Sequence, residues 1–390
     1  MRADVPGVAR SRTLSTTARR KLLFFVTEDW YFVSHRLPLA VAAKEAGYDV
    51  CVATRVRDCG DIIRRAGLRL IPFDNERSSV NPLADIPRLC RLTLLYRRER
   101  PDVVHHVAMK PVLYGSLAAR FSGRRDVHVV NALTGMGWLF TSSTGLARWL
   151  KPAVRRALRL AVSTGIALVQ NGDDASLLAE FGVPESRIRR IAGSGVDLEL
   201  FRPRPLPAGI PVVVMHARLL RDKGVGEYVA AARLLRQRRI EARFLLAGIP
   251  DPVNPTSIPM DQISRWVSEG VIEYLGHVTD IPGLLGGCHI VCLPSHREGL
   301  PKSLLEASAA GRAAVTTDVP GCREAVRNGD TGLLVPPRDA EALANAIERL
   351  IRNPQLRDEM GARGRIRAEQ EFGIDAVIHQ TLALYQEAAN

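Results

Sequence analysis

The sequence predicts two doubly wound α/β domains in series, facing one another across a cleft, and three observations carry that prediction. Short apolar runs alternate, twice over, with longer segments of helical period, the wiring of parallel sheets covered on both faces. Between the two alternations lies a run with prolines at 203, 205, 207 and 211, which suits neither a helix nor an inner strand. The 390 residues, 46% hydrophobic and 24% charged, have the length and composition for two cores of ordinary size.

Residues 1–20 read as a basic, disordered leader with no apolar h-region, and no apolar run approaches the roughly 20 residues that cross a bilayer. The expectation is a protein neither secreted nor membrane-spanning. In the N-terminal domain, 21–200, strands are expected at 21–26, 49–54, 68–73, 102–105, 127–131 and 167–170. Helices are expected at 35–46, ended by Gly47, and near 82–98, 111–122 and 146–162. The linker is 201–211. The C-terminal domain, 212–390, should hold strands at 212–215, 243–247, 271–275, 289–293, 313–316 and 332–335. Its helices fall near 225–238, 303–309 and 340–353, and a last amphipathic helix, 374–389, could pack back on the first domain. Ligands of such sheets bind where the domains face each other.

The six cysteines are scattered, without a zinc-ligand spacing or a disulfide framework, which fits a reducing cytoplasm. Cys288, His289 and Cys292 come nearest to a metal cluster, but they bracket an apolar run that reads as a buried strand. The net charge is +13, and residues 1–200 hold 31 Lys and Arg against 19 Asp and Glu. Such one-sided charge suits an anionic partner for the N-terminal half, nucleic acid or an acidic membrane surface; an arginine-rich solvated surface is the plainer reading. No nucleic-acid-binding module appears, so nucleic acid is not expected as a partner.

The segment from Ser295 to Glu306 follows a strand and ends inside a helix. Pro301 suits a first helical turn, and Gly299 lets backbone N–H groups approach phosphate oxygens, with Glu298 and Glu306 on either side. A second segment, Ala217 to Gly224, follows the first strand of its domain and offers Arg218 and Lys223. A guanidinium fork and an ammonium together can neutralise a departing diphosphate.

At these residues the chain resembles the family 4 glycosyltransferases, whose donor domain carries an Arg…Lys pair followed by Glu-x7-Glu, here Arg218, Lys223, Glu298 and Glu306. Residues 193–197 look like the family's loop before the linker and 331–335 like its late donor-domain strand. The resemblance implies a GT-B fold, a nucleotide-sugar donor, commonly a UDP-sugar, and transfer with retention. It implies Glu306 on the ribose, Glu298 on the transferred sugar, and Arg218 with Lys223 on the diphosphate; Gly299, Leu300 and Ser303 complete the donor site. The oxocarbenium-like transition state, with charge growing on the diphosphate, agrees with fixed cations and a helix end. There is no Asp-x-Asp anywhere in the chain, so neither a metal nor another cofactor is expected.

The N-terminal half departs from the pattern. Where many relatives have a glycine-rich first loop, this chain has Thr27 to Arg36; Trp30 and His35 could meet a sugar acceptor, or Trp30 and Phe32 could be core. Where relatives often show His-x-His, this chain has His105-His106, of which one is expected to face the cleft; His106 is favoured as catalytic, with Lys110 as a phosphate contact. Thr134 to Trp138 resembles the subgroup acting on polyprenyl-diphosphate-linked saccharides, and Thr134 is taken as an acceptor contact. Helix 146–160 sets Arg148, Lys151, Arg155, Arg156 and Arg159 among apolar residues, a pattern that lies on anionic membranes or packs on a sheet. The implied protein is a hexosyl- or N-acetylhexosaminyltransferase of glycan assembly, cytoplasmic and peripheral on the inner membrane face. A nucleotide-sugar epimerase or hydrolase, or a basic membrane-binding protein without catalysis, are the alternatives. A dinucleotide oxidoreductase is disfavoured because 25–35 lacks Gly-x-Gly-x-x-Gly.

Overall fold

The structure, a computed structural model, describes residues 19–74, 85–124, 126–135, 145–163 and 165–387. Two separate sheets organise it, both parallel throughout: seven strands in the order Arg69–Pro72 (β3), Asp49–Arg55 (β2), Lys21–Glu28 (β1), Val103–Val107 (β4), His128–Leu133 (β5), Ile166–Val169 (β6) and Ile188–Arg190 (β7), and six in the order Glu273–Gly276 (β10), Arg243–Ala247 (β9), Val212–His216 (β8), Ile290–Leu293 (β11), Ala313–Thr317 (β12) and Gly332–Val335 (β13). The first runs from β1, Lys21–Glu28, to β7, Ile188–Arg190; the second from β8, Val212–His216, to β13, Gly332–Val335. Central strands such as Val103–Val107 (β4) and Ile290–Leu293 (β11) are buried along their whole length, because helices cover both faces.

In each sheet the order reverses between the first strand and its crossover neighbour, β1 beside β4 and β8 beside β11. No crossover loop covers the sheet at such a switch point, so a crevice opens beyond the carboxyl ends of the strands. The two crevices face one another.

The first βα connection departs from the sequence reading. Helix α1 starts at once, Asp29–His35, and α2 follows at Leu37–Glu45. The early start has a cause in Asp29, whose buried carboxylate accepts from the backbone N–H groups of Trp30, Arg57 and Cys59. Arg36 breaks the two helices apart, with Pro38 at the first turn of α2. Pro38 has no N–H to give the Ser34 carbonyl, which is thereby freed for another donor.

Elements without a clear period include α7, Gly172–Glu180, whose N-cap Asn171 accepts from Asp174 N, and α14, Pro354–Arg367. The apolar period of α14 is diluted by glycines that packing requires. A Cβ at Gly361 would stand 2.2 Å from Gly311 O. The last helix, α15, Ile374–Glu387, lies against the N-terminal sheet, where Tyr385 joins the cluster of Leu22, Phe24 and Tyr48. The linker docks on the second domain through buried Arg312, which donates to the carbonyls of Leu285 and Arg204. Among the described residues no helix is long and apolar enough to cross a membrane.

Candidate active site

The facing crevices enclose a cavity of about 430 Å³ whose wall includes the carboxyl ends of all four switch-point strands. Val26, Thr27 and Glu28 come from β1, Val107 and Ala108 from the end of β4, His216 from β8 and Leu293 from β11. All seven donor-side residues expected from the sequence line it: Arg218, Lys223, Glu298, Gly299, Leu300, Ser303 and Glu306. Trp30, His35 and Thr134 line it from the other domain.

Glu298 is held by two donors on one oxygen: Lys223 Nζ at 2.5 Å and Ser295 Oγ at 2.7 Å from Oε1. Gly224 makes the lysine's approach possible, because its φ of +76° and a hypothetical Cβ 2.0 Å from Pro294 O admit only glycine. Arg218 pairs with Asp251 at 2.8 Å and stands 5.8 Å over the Trp30 ring, a cation–π contact that crosses the cleft. Trp30 is therefore a cleft residue, while Phe32 is core, edge-on to Phe24.

Glu306 lies deeper, on α11, Lys302–Ala309, with Lys302 Nζ 3.6 Å from Oε1 and His216 Nε2 3.9 Å from Oε2. Burial raises its carboxyl to about 7, against the pull of Lys302. Burial likewise lowers His216 to about 4, so the imidazole is neutral beside it. Lys302 also donates to the freed Ser34 carbonyl at 3.1 Å, joining the two domains. His216, Lys302 and Tyr31 were not singled out from the sequence; only the spacing of Lys302, four before Glu306 on one helix face, hinted at its place.

The domains touch closely at the loop that carries Arg297, Glu298 and Gly299. Asn171 Nδ2 donates to Gly299 O at 2.7 Å, Arg297 Nη2 to Asp174 Oδ1 at 2.9 Å, and Arg323 Nη1 to Asp173 Oδ1 at 3.2 Å. A Cβ on Gly299 would stand 2.3 Å from Thr134 O, so only glycine allows this approach.

Two expectations are corrected. Neither His105 nor His106 reaches the cavity, because β4 is an interior strand whose adjacent side chains point into the two helix layers. His106 is enclosed by Tyr96 Oη at 3.0 Å and Asn131 Oδ1 at 2.7 Å, and burial lowers it to about 4. His105 stacks on Phe24 and meets Tyr385 Oη at 2.5 Å. The strand instead presents Ala108, held at φ +80°, ψ 165°, a strained conformation for a residue with a Cβ. Lys110 is also outside the cavity, 3.4 Å from Asp85, which Arg88 and Tyr114 share. Met136, Gly137 and Trp138 lie outside the described residues, as do the side chains at 145–151, 153 and 154. His289 is structural: Nδ1 accepts from Val212 N and Nε2 meets Pro207 O, both at 3.0 Å. Among the described residues no three His, Cys, Asp or Glu side chains assemble as metal ligands.

Comparison with known proteins agrees with this geometry. Residues 21–169 match the profile described as "Glycosyl transferase 4-like" and residues 210–353 that of "Glycosyl transferases group 1". The chain is 32% identical to alpha-maltose-1-phosphate synthase of Mycolicibacterium smegmatis, over 76% of this chain and 82% of that one. The chain belongs to the group 1, family 4 glycosyltransferases. A second relative, N,N'-diacetylbacillosaminyl-diphospho-undecaprenol alpha-1,3-N-acetylgalactosaminyltransferase of Campylobacter jejuni, is 28% identical over 83% of this chain and 87% of its own. Anabaena HepE, solved with UDP and glucose, superposes with a TM-score of 0.72 at 18% identity, covering 94% of this chain and 99% of its own. This glycosyltransferase therefore has the GT-B fold expected from the sequence.

Proposed function

We propose that this glycosyltransferase moves a hexose or N-acetylhexosamine from a UDP-sugar to a saccharide carried on a polyprenyl diphosphate, with retention and without a metal. The observation that carries the reading is the convergence of Arg218 and Lys223, from one segment, and Glu298 and Glu306, from another segment of the same domain, on a single cavity faced by the other domain. Glu306 accepts hydroxyl hydrogens of the ribose and Glu298 those of the transferred sugar. Arg218 and Lys223 face the diphosphate, where charge grows as the bond from the anomeric carbon to phosphate oxygen breaks. The acceptor hydroxyl forms the new bond on the face the diphosphate leaves, and its proton departs with the nucleoside diphosphate. The acceptor class is supported by the Campylobacter relative, whose name specifies a diphospho-undecaprenol substrate. A place on the inner membrane face is supported by the basic N-terminal half and by exposed Arg155, Arg156 and Arg159 on the helix Gly145–Val162.

The test is a screen of UDP-sugars by thermal shift, followed by incubation of the stabilising donor with and without a polyprenyl-diphosphate saccharide, in chelator. Product formed only with the lipid-linked acceptor, and undiminished by chelator, is expected. Turnover of donor alone would replace transfer with hydrolysis or epimerisation, and loss in chelator restored by Mg²⁺ would refute the metal-free reading.

A further inference from the structure

Positive charge that the donor assignments leave unused lies at one part of the cleft, on Lys302, which lines it, and on buried Arg36, the chain neighbour of lining His35. Arg36 is 2% exposed, and no salt bridge to it exists among the described residues. Its Nη1 donates to Gly193 O at 3.3 Å, while Nε and Nη2 are buried without a partner. A buried guanidinium without an anion is costly, so an anion bound close to it would be stabilised.

Residues next to Arg36 face the cavity. His35 lines it, stacked on Tyr31 with ring centroids 4.2 Å apart; Ser34 Oγ engages Nδ1 at 2.5 Å, which leaves Nε2 for a ligand. Lys302 lines it from the other domain, tethered to Ser34 O at 3.1 Å. Its neighbouring carboxyl, Glu306, is raised to about 7 by burial and so offsets the ammonium only in part at neutral pH. Burial first, then the charges of Lys302 and Arg36, lower His35 to about 3, so the imidazole is neutral.

We propose that the wall where α1 meets α11 is a second phosphate subsite, in which Lys302 and His35 receive one phosphate group and buried Arg36 backs it with charge. It rests on the reading of the cleft as a transferase site. A neutral sugar hydroxyl would leave Arg36 uncompensated, whereas a phosphate supplies the charge and enough acceptor oxygens for donors from both domains. The phosphate can come from the nucleotide donor or from a diphosphate-linked acceptor. Because Lys302 bridges the domains at Ser34, filling the subsite also favours the closed cleft.

The experiment is calorimetric titration of the full chain with UDP and, separately, geranyl diphosphate, for wild type, Lys302→Met, Lys302→Arg and His35→Gln. Unchanged thermal unfolding of the variants is the control for folding. If the subsite serves the acceptor, Lys302→Met and His35→Gln weaken geranyl diphosphate at least tenfold and UDP less than threefold. If it serves the donor, the pattern reverses. Lys302→Arg restores most of the affinity in either case. Both probes binding the variants as they bind wild type would overturn the subsite and leave the donor assignments standing. Failure of wild type to bind UDP at all would overturn both.

Discussion

Gly299→Ala tests whether the closed approach of the two domains is the working state. The added methyl would stand 2.3 Å from Thr134 O and 2.7 Å from Gln170 Oε1, both in the opposite domain. Ordinary carbon–oxygen contacts lie at about 3.3 Å, so the domains must part by about 1 Å. The loop cannot retreat into its own domain, because Gly321 packs directly on its far side, with a hypothetical Cβ 2.5 Å from Gly299 O. A shift of that size takes the 2.7 Å bond from Asn171 Nδ2 to Gly299 O out of range. Leaving the Gly299 carbonyl unpaired costs roughly 1–3 kcal/mol, although Asn171 Nδ2 keeps its bond to Asp174. With the lost packing, the closed state should be disfavoured by about 2–3 kcal/mol, which corresponds to roughly a 30- to 150-fold fall in kcat/KM. The strain falls between the domains and not within either core, so Tm should drop by less than about 3 °C. The assay pairs steady-state kinetics with thermal unfolding. Turnover within threefold of wild type, or a Tm loss as large as that of a core cavity, would refute the reasoning.

Glu298→Gln and Lys223→Ala should each lower turnover by about two orders of magnitude or more, measured with saturating donor, since both groups meet in one contact at 2.5 Å facing developing charge; near-normal rates in either would sink their assignment. Glu306 has its folded pKa raised from 4.5 to about 7 by burial, so the native state holds this proton more tightly and the residue's effect on stability turns unfavourable as pH rises across that window. Glu306→Gln should therefore raise Tm at pH 8 by an amount worth at most about 3 kcal/mol, change it little at pH 4, and weaken UDP binding; equal Tm shifts at the two pH values would contradict this. Ala108→Gly relieves a backbone at φ +80°, and a gain of about 1 kcal/mol in denaturant unfolding is expected, with any loss counting against strain there. Changing exposed Arg155, Arg156 and Arg159 to Gln should reduce co-sedimentation with anionic vesicles and leave neutral vesicles unaffected, each charge contributing about 1 kcal/mol; equal binding of the variant would make the helix ordinary packing.

Much of the fold was legible because parallel strands buried on both faces must be continuous apolar runs, and the helices between them must show a 3.6-residue period. That rule located most of the strands, and it failed where packing replaced apolar period with glycine, as in Pro354–Arg367. The side of the cleft proposed to hold the donor was legible for a related reason. Arg218, Lys223 and Glu298 lie in short segments after strands and Glu306 in the helix that follows, so local sequence already places them at one sheet edge. The N-terminal wall, proposed to meet the acceptor, obeys no such local rule. His105 and His106 sit inside a strand whose two faces are both covered, and only the neighbours Tyr385, from 280 residues away, and Asn131 decide that neither sees the cleft. Likewise the carbonyl that Pro38 frees meets Lys302, 268 residues beyond Ser34, only because of how two domains close on each other. Strand edge, helix period and motif spacing are properties of neighbours along the chain; which charge stays uncompensated is a property of neighbours in space.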